Sequence, residues 1–423
     1  MTLEFLKRLA QALRPVPGEA GGPRWRAAAY LDRGHLGEAR LALDHRGRGM
    51  ALWENGGNLW TMPMGPAASP ALLRLPFGEG ANPRLALSPE GRGLAVWLAE
   101  RGAERQILGK VLGARGGPEN VVFRTHGSVR RLQVTVDRRG NALVVWLHER
   151  VGRIEVMAQS FDTRGGAWDT GPIVLGRPSD PEASPRLASN HREHAMVLWE
   201  AQDSLFEGLM ASHYWPSERI WSDRPVPVVT HLAHHHQVAM DDHGNALALW
   251  IHAPYGQRGA LEASFYDVQA GDWSEPATLA RAQEISFPRL LMNGAGEALA
   301  TWSQRESGGV SCLFSKAFRE RAWEADAECL GHDPGRYHDY AIDLSADGRA
   351  GLLVVQRGAA GDQVSLRIRQ GAWSAPRVMG SAPGSTCDSP RIALCPRGTS
   401  LLWTQGTGAE KTLILVNSQG SEP

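Results

Sequence analysis

One short phrase recurs along this 423-residue chain and ends seven times in tryptophan. It reads arginine-leucine-alanine-leucine, a polar turn with glycine, then an apolar run such as Leu94-Ala95-Val96-Trp97. Clear copies span 84–97, 237–250 and 289–302, and others end at Trp53, Trp146, Trp199 and Trp403. An eighth copy, 341–354, ends in Val354. Successive ends lie about fifty residues apart, which marks one supersecondary unit used repeatedly. Length alone would allow two or three ordinary domains. The unbroken repeat argues instead for one array.

Each copy reads as a hairpin. Leu85 and Leu87 fall on one face of an extended strand, with Arg84 and Ala86 on the other. Residues 94–97 are continuously apolar, as in a strand covered on both faces. Between the two stands a short polar residue three places before a glycine. The pairs are Asp44 with Gly47, Ser88 with Gly91, Asp137 with Gly140, Asp241 with Gly244, Asn293 with Gly296 and Ser345 with Gly348. Such a pair suits a type I turn closed by a glycine bulge. The fourth copy has Glu193 in place of the glycine, and the last has Cys395 and Gly398. A β-rich third strand follows, as at 153–161, 310–318 and 364–368. A fourth strand carries Trp168, Trp221, Trp273, Trp323 or Trp373, twice as Trp-Ser-x-Pro.

Four strands per unit predict an all-β, eight-bladed β-propeller with four-stranded blades. The last copy has a hairpin ending at Trp403 and a third strand over 412–417, but no fourth. Trp25 precedes Arg40 much as Trp273 precedes Arg289. Residues 25–31 are therefore expected to complete the last blade and close the ring, leaving no open sheet edge. The predicted organisation is an amphipathic helix over 1–16, a Pro/Gly linker over 17–24 and a single propeller over 25–423. Tandem β-sandwiches are the alternative, but they would show linkers between units.

The pattern resembles β-propeller repeat proteins in general and no specific family. The Trp-Asp ending of WD repeats is absent. Only Gly56-Gly57 and Gly308-Gly309 hint at the diglycine of kelch repeats. The Ser-x-Asp-x-Gly-x-x-Trp turn of sialidases is missing, so no catalytic residue carries over from them.

Charge narrows the partners. Forty-five basic side chains balance 45 acidic ones, so no overall field favours nucleic acid or an anionic membrane. No stretch has the apolar length of a membrane span, and the N-terminus lacks a secretory pattern. The sequence reads as soluble and cytoplasmic. Cys312, Cys329, Cys387 and Cys395 form no C-x-x-C pair. Cys312 and Cys329 fall on neighbouring strands of one unit. Separate thiols are the favoured reading in a chain without an export signal.

Candidate binding residues gather where loops meet the inner strands, the usual recognition face of such a scaffold. Arg40, Arg84, Arg186, Arg289 and Arg391 begin inner strands, with Gln133, Gln237 and Ala341 at the equivalent places. They could hold a carboxylate or phosphate bidentately, or fix the blades through backbone carbonyls. A polar cluster of His234, His236, His338 and Asp339 is the candidate for acid–base or metal chemistry. No zinc-type spacing supports it, so no metal or cofactor is expected. The outer tryptophans could stack sugars, or pack between blades. Leu3, Leu6, Leu9, Ala10 and Leu13 give residues 2–14 an apolar stripe for a partner, the propeller or a membrane surface.

The functional expectation is a non-catalytic scaffold for protein–protein interaction, acting through its loop face and N-terminal helix. A lectin-like propeller binding a glycan is one alternative, and a His-rich hydrolase or lyase another. A small anionic ligand also fits the arginines. Nucleic acid does not.

Overall fold

The computed structural model describes residues 24–419 except 26–27, 66–74, 113–116, 163–165, 170, 179, 181–183, 203–205, 254–257, 306–308, 334–338 and 359–360. The expected helix over 1–16 lies outside the described residues, and so does the linker over 17–24 apart from the Arg24 backbone. Among the described residues there is no helix. Eight antiparallel sheets succeed one another, with strands side by side in chain order. The chain is an eight-bladed β-propeller with four-stranded blades. Blades are numbered from the first inner strand, Leu36–Leu43. Two compact units divide the chain: residues 1–91 with 333–423, and residues 92–332.

Blade 5 shows how the sequence builds one sheet. Its strands are His234–Met240, Ala246–His252, Gly259–Asp267 and a fourth in two pieces, Asp272–Trp273 and Ala277–Ala282. Ala246 to Ile251 are all buried, which accounts for the continuous apolar run. In the turn before them, Asp241 accepts the backbone N–H of His243 and of Asn245, both at 2.9 Å. Gly244 takes φ +96° and donates to the Asp241 carbonyl at 3.2 Å. Blade 4 reaches the same turn without glycine. There Glu193 is forced to φ +76° and pairs with Arg139 at 2.9 Å. Blade 8 shortens the turn, pairing Cys395 directly with Gly398.

Tryptophan recurs within the second strand because that position packs against the preceding sheet. Trp199 joins Leu143, Val145 and Leu147 of blade 3. Trp250 meets Met196 and Leu198 of blade 4, and Trp302 meets Leu247 and Leu249 of blade 5. In the other unit, Trp403 packs with Leu353 and Val355, and Trp53 with Leu402 and Leu413. These five indoles, and Trp97 and Trp146 at the equivalent places, are essentially without solvent contact. Burying a large aromatic contributes several kcal/mol, of the order lost in aromatic-to-alanine core substitutions.

The fourth strands are interrupted after their tryptophan. In blades 3, 4, 5 and 7 a proline follows within four residues, and proline cannot donate to the ladder. Serine compensates in three blades. The hydroxyl of Ser222, Ser274 or Ser374 accepts the N–H of His213, Phe265 or Ile368. This is the physical content of the recurring Trp-Ser pair. In blade 8, Arg24–Trp25 and Ala29–Gly34 both pair antiparallel with the strand Glu410–Gln419.

The strained turn of blade 4 is testable. Glu193→Gly should stabilise the protein by up to about 1 kcal/mol, because a left-handed L-residue is relieved while a surface ion pair is lost. Denaturant unfolding checks this, and a variant less stable than the parent contradicts it.

Candidate functional site

The inner strands begin with a backbone irregularity that the sequence reading missed. Register shifts fall between Leu36 and Ala39, Arg130 and Gln133, His234 and Gln237, Ser286 and Arg289, and Asp388 and Arg391. In five blades the residue two places before the arginine or glutamine is left-handed without being glycine. These are Asn82, Arg131, His235, Phe287 and Ser389, all with φ of 53° or 54°. Each costs about 1–2 kcal/mol for an L-residue. Five different side chains share one geometry, so the fold imposes it. A bulge of this kind turns a side chain out of the ladder. Proline before Arg84, Arg186, Arg289 and Arg391 was the one visible signal.

The predicted arginines bind backbone first. Arg391 donates its Nε to the Ala39 carbonyl at 3.2 Å, and Arg186 donates its Nε to the His236 carbonyl at 3.2 Å. Gln133 donates to the Pro185 carbonyl. Each of these bonds runs from one inner strand to the next blade's. Arg40, Arg84, Arg289 and Arg391 also donate Nη1 to the carbonyl of the residue before them.

Beyond this frame the two units differ. In the unit of residues 1–91 and 333–423, Arg40 and Arg84 both donate to the carboxylate of Glu38. Burial, then Arg84, pushes the Arg40 guanidinium down to about 9, against the pull of Glu38. In the unit of residues 92–332, burial and then Arg289 and Arg131 push Arg186 down to about 10. Nη1 and Nη2 of Arg186 have no acceptor among the described residues.

His234 and His236 meet on Glu200, at 3.4 and 3.2 Å. His236 is almost fully buried, and its other nitrogen faces the Leu198 carbonyl at 3.2 Å. Burial pushes the Glu200 carboxyl up, but the bonds from His234 and His236 prevail and hold it down to about 2. The bond to Glu200 raises His234. These groups thus pin the bulge at His235. Asp339 belongs to the other unit, where it accepts the N–H of Ser389 at 3.0 Å. His338 lies outside the described residues.

Three further polar arrangements stand apart. His231 and Trp250 both donate to the buried Glu262, at 2.9 and 3.1 Å. At the turn end of blade 4, His194 and His213 share a hydrogen bond of 3.2 Å beneath Trp215. Burial, then His194, holds His213 down to about 4. Between blades 3 and 4 at that same end lies a pocket of about 200 Å³, lined by Thr135, Ser160, Asn190, Tyr214 and Arg219 among others. It contains none of the predicted site residues.

The outer tryptophans pack edge-on or tilted against third-strand aromatics. Trp168 meets Phe161, Trp221 meets Tyr214, Trp273 meets Tyr266 and Trp323 meets Phe318, with centroids 5.1–5.3 Å apart. Cys312 and Cys329 lie on paired strands of blade 6 and are not joined by a disulfide. Among the described residues no group of three or more His, Cys, Asp or Glu is placed to hold a metal ion.

No family model matches the chain, and no curated protein matches it. Solved structures share its general architecture at low identity. An ulvan lyase of polysaccharide lyase family PL25 is 9% identical with a TM-score of 0.48, covering 92% of this chain and 95% of its own. A fungal alcohol oxidase of the AA5 family is 11% identical with a TM-score of 0.45, covering 93% and 92%. A Dyadobacter fermentans protein of unknown function is 11% identical with a TM-score of 0.44, covering 69% and 95%. Similarity this distant says nothing about what the chain binds or converts.

Two pH effects follow. The depressed Glu200 adds stability above its ordinary pKa of 4.5, lost as pH falls through about 2. The raised His234 adds stability below its ordinary 6.5, lost as pH rises through its elevated value. Glu200→Gln should therefore cost most between those ordinary values, about 1–3 kcal/mol, and less on either side. Urea unfolding across pH measures it, and a pH-independent cost contradicts it. The depressed His213 acts in the opposite sense to His234. Stability should drop as pH falls from 6.5 towards about 4, and His213→Gln should flatten that slope.

Proposed function

We propose that this protein is a non-catalytic binding propeller that engages a protein partner through the bulged ends of its inner strands. One observation carries the reading. Asn82, Arg131, His235, Phe287 and Ser389 occupy the same left-handed backbone position with unrelated side chains. A fixed frame displaying variable residues suits recognition, since side chains change without the backbone moving. In the unit of residues 92–332 the displayed set combines Arg131, His235 and the half-exposed Phe287. Arginine and aromatic rings are among the residue types enriched at interface centres.

The alternatives draw less support. His236 spends both ring nitrogens on Glu200 and the Leu198 carbonyl, and His234 turns its Nδ1 to the same carboxylate, which favours a positioning role over acid–base work. The aromatic contacts of the outer tryptophans favour packing over sugar stacking. On the same reading, residues 24–34 serve as the closing strand of the propeller, residues 2–14 offer a second contact, and the protein works in the cytoplasm.

The test is a cross-linked pull-down from the native host with the intact chain and a triple variant, Arg131→Ala, His235→Ala and Phe287→Ala. Partners recovered with the parent should be lost with the variant, while circular dichroism shows the same β-sheet content. Equal recovery, or no stable partner at all, overturns the proposal.

A further inference from the structure

We propose that Arg186, with Ser184 two places before it, forms a binding site for a carboxylate supplied by the ligand. The inference deepens the binding reading above by naming the chemistry of one contact, and it rests on that reading.

The protein itself shows what this position holds when it is filled. In blade 1 the residue two places before the arginine is Glu38, and its carboxylate is held by Arg40 and by Arg84 of the following inner strand. Blade 4 has the same arginine but Ser184 in the place of the acid. Among the described residues no carboxylate is hydrogen-bonded to Arg186. Its Nε is fixed on the His236 carbonyl at 3.2 Å, which orients the guanidinium plane. Its Nη1 and Nη2 meet no acceptor among the described residues and are not sealed from solvent. The neighbouring side chain on blade 3, Gln133, is committed to blade 4 backbone, donating to Pro185 O and accepting from Leu187 N.

The surroundings favour an anion. Arg289 and Arg131 are close enough to make the positive charge on Arg186 costly, and burial adds to that cost. Glu200 offsets part of it, but its two oxygens already accept from His234 and His236. An incoming carboxylate would relieve the repulsion and match the two parallel N–H groups of a guanidinium edge. The held orientation of Arg186 reduces the ordering needed on binding. The Glu38 precedent selects a carboxylate over a phosphate. It can come from an acidic side chain of a partner or from a free small carboxylate.

The experiment is calorimetric titration of the intact protein at low ionic strength with a blocked hexaglutamate peptide, glutarate and inorganic phosphate. Saturable binding of peptide or glutarate is expected, weakened about tenfold or more by Arg186→Gln. Ser184→Glu should weaken it as much, by installing in blade 4 the acid that blade 1 carries. Thermal unfolding confirms that both variants are folded, and if Arg186→Gln is not, Ser184→Glu alone decides. Binding of the peptide alone assigns the source to a protein partner, and equal binding of glutarate assigns it to a small molecule. No saturable carboxylate binding, binding unmoved by Ser184→Glu, or phosphate bound more tightly overturns the site. Loss of partners in the Arg131/His235/Phe287 variant without any carboxylate binding would leave the binding propeller standing and remove only this site.

Discussion

The structure depends on one packing interaction, a tryptophan within a second strand laid against the sheet before it. Trp199, Trp250 and Trp302 do this in one unit and Trp53 and Trp403 in the other. A four-stranded sheet has two faces and cannot cover either by itself. The indole is large enough to fill the gap that twist opens between neighbouring sheets. Once that contact is set, the inner strands are held at fixed spacing. The arginine and glutamine bonds to carbonyls of the next blade can then form without further ordering.

This is why the fold was legible in the sequence. The tryptophan, the apolar run before it and the Asp-x-x-Gly turn are all local and repeat in register. The place of Trp25 was an expectation from its distance to Arg40 alone; in the structure it pairs opposite Ser418. The two-piece fourth strand was less visible, because the role of Ser222, Ser274 and Ser374 appears only when the missing ladder acceptor is seen.

The site was legible only in part. Arg40, Arg84, Arg186, Arg289 and Arg391 stood out as a repeated residue type, but their spacing could not distinguish a bond to Glu38 from an open fork. Glu38 and Glu200 carried no signal because neither recurs. His234 and His236 drew attention by clustering, yet alternation along a strand sends both to Glu200 and leaves His235 on the bulge between them. Backbone irregularity at Phe287 or Arg131 is a property of how each inner strand pairs with its hairpin partner. Apart from the proline before Arg289, no local pattern announces it.

The broken outer strand has a consequence beyond stability. An uninterrupted edge strand offers a row of free N–H and C=O groups on which another chain can add. Here proline and the serine-held kink divide that row into pieces as short as the two residues Ile220–Trp221 and Asp272–Trp273. A foreign strand finds too few consecutive partners to zip along the rim. The same device that accommodates proline thus guards the sheets that carry it against templated aggregation.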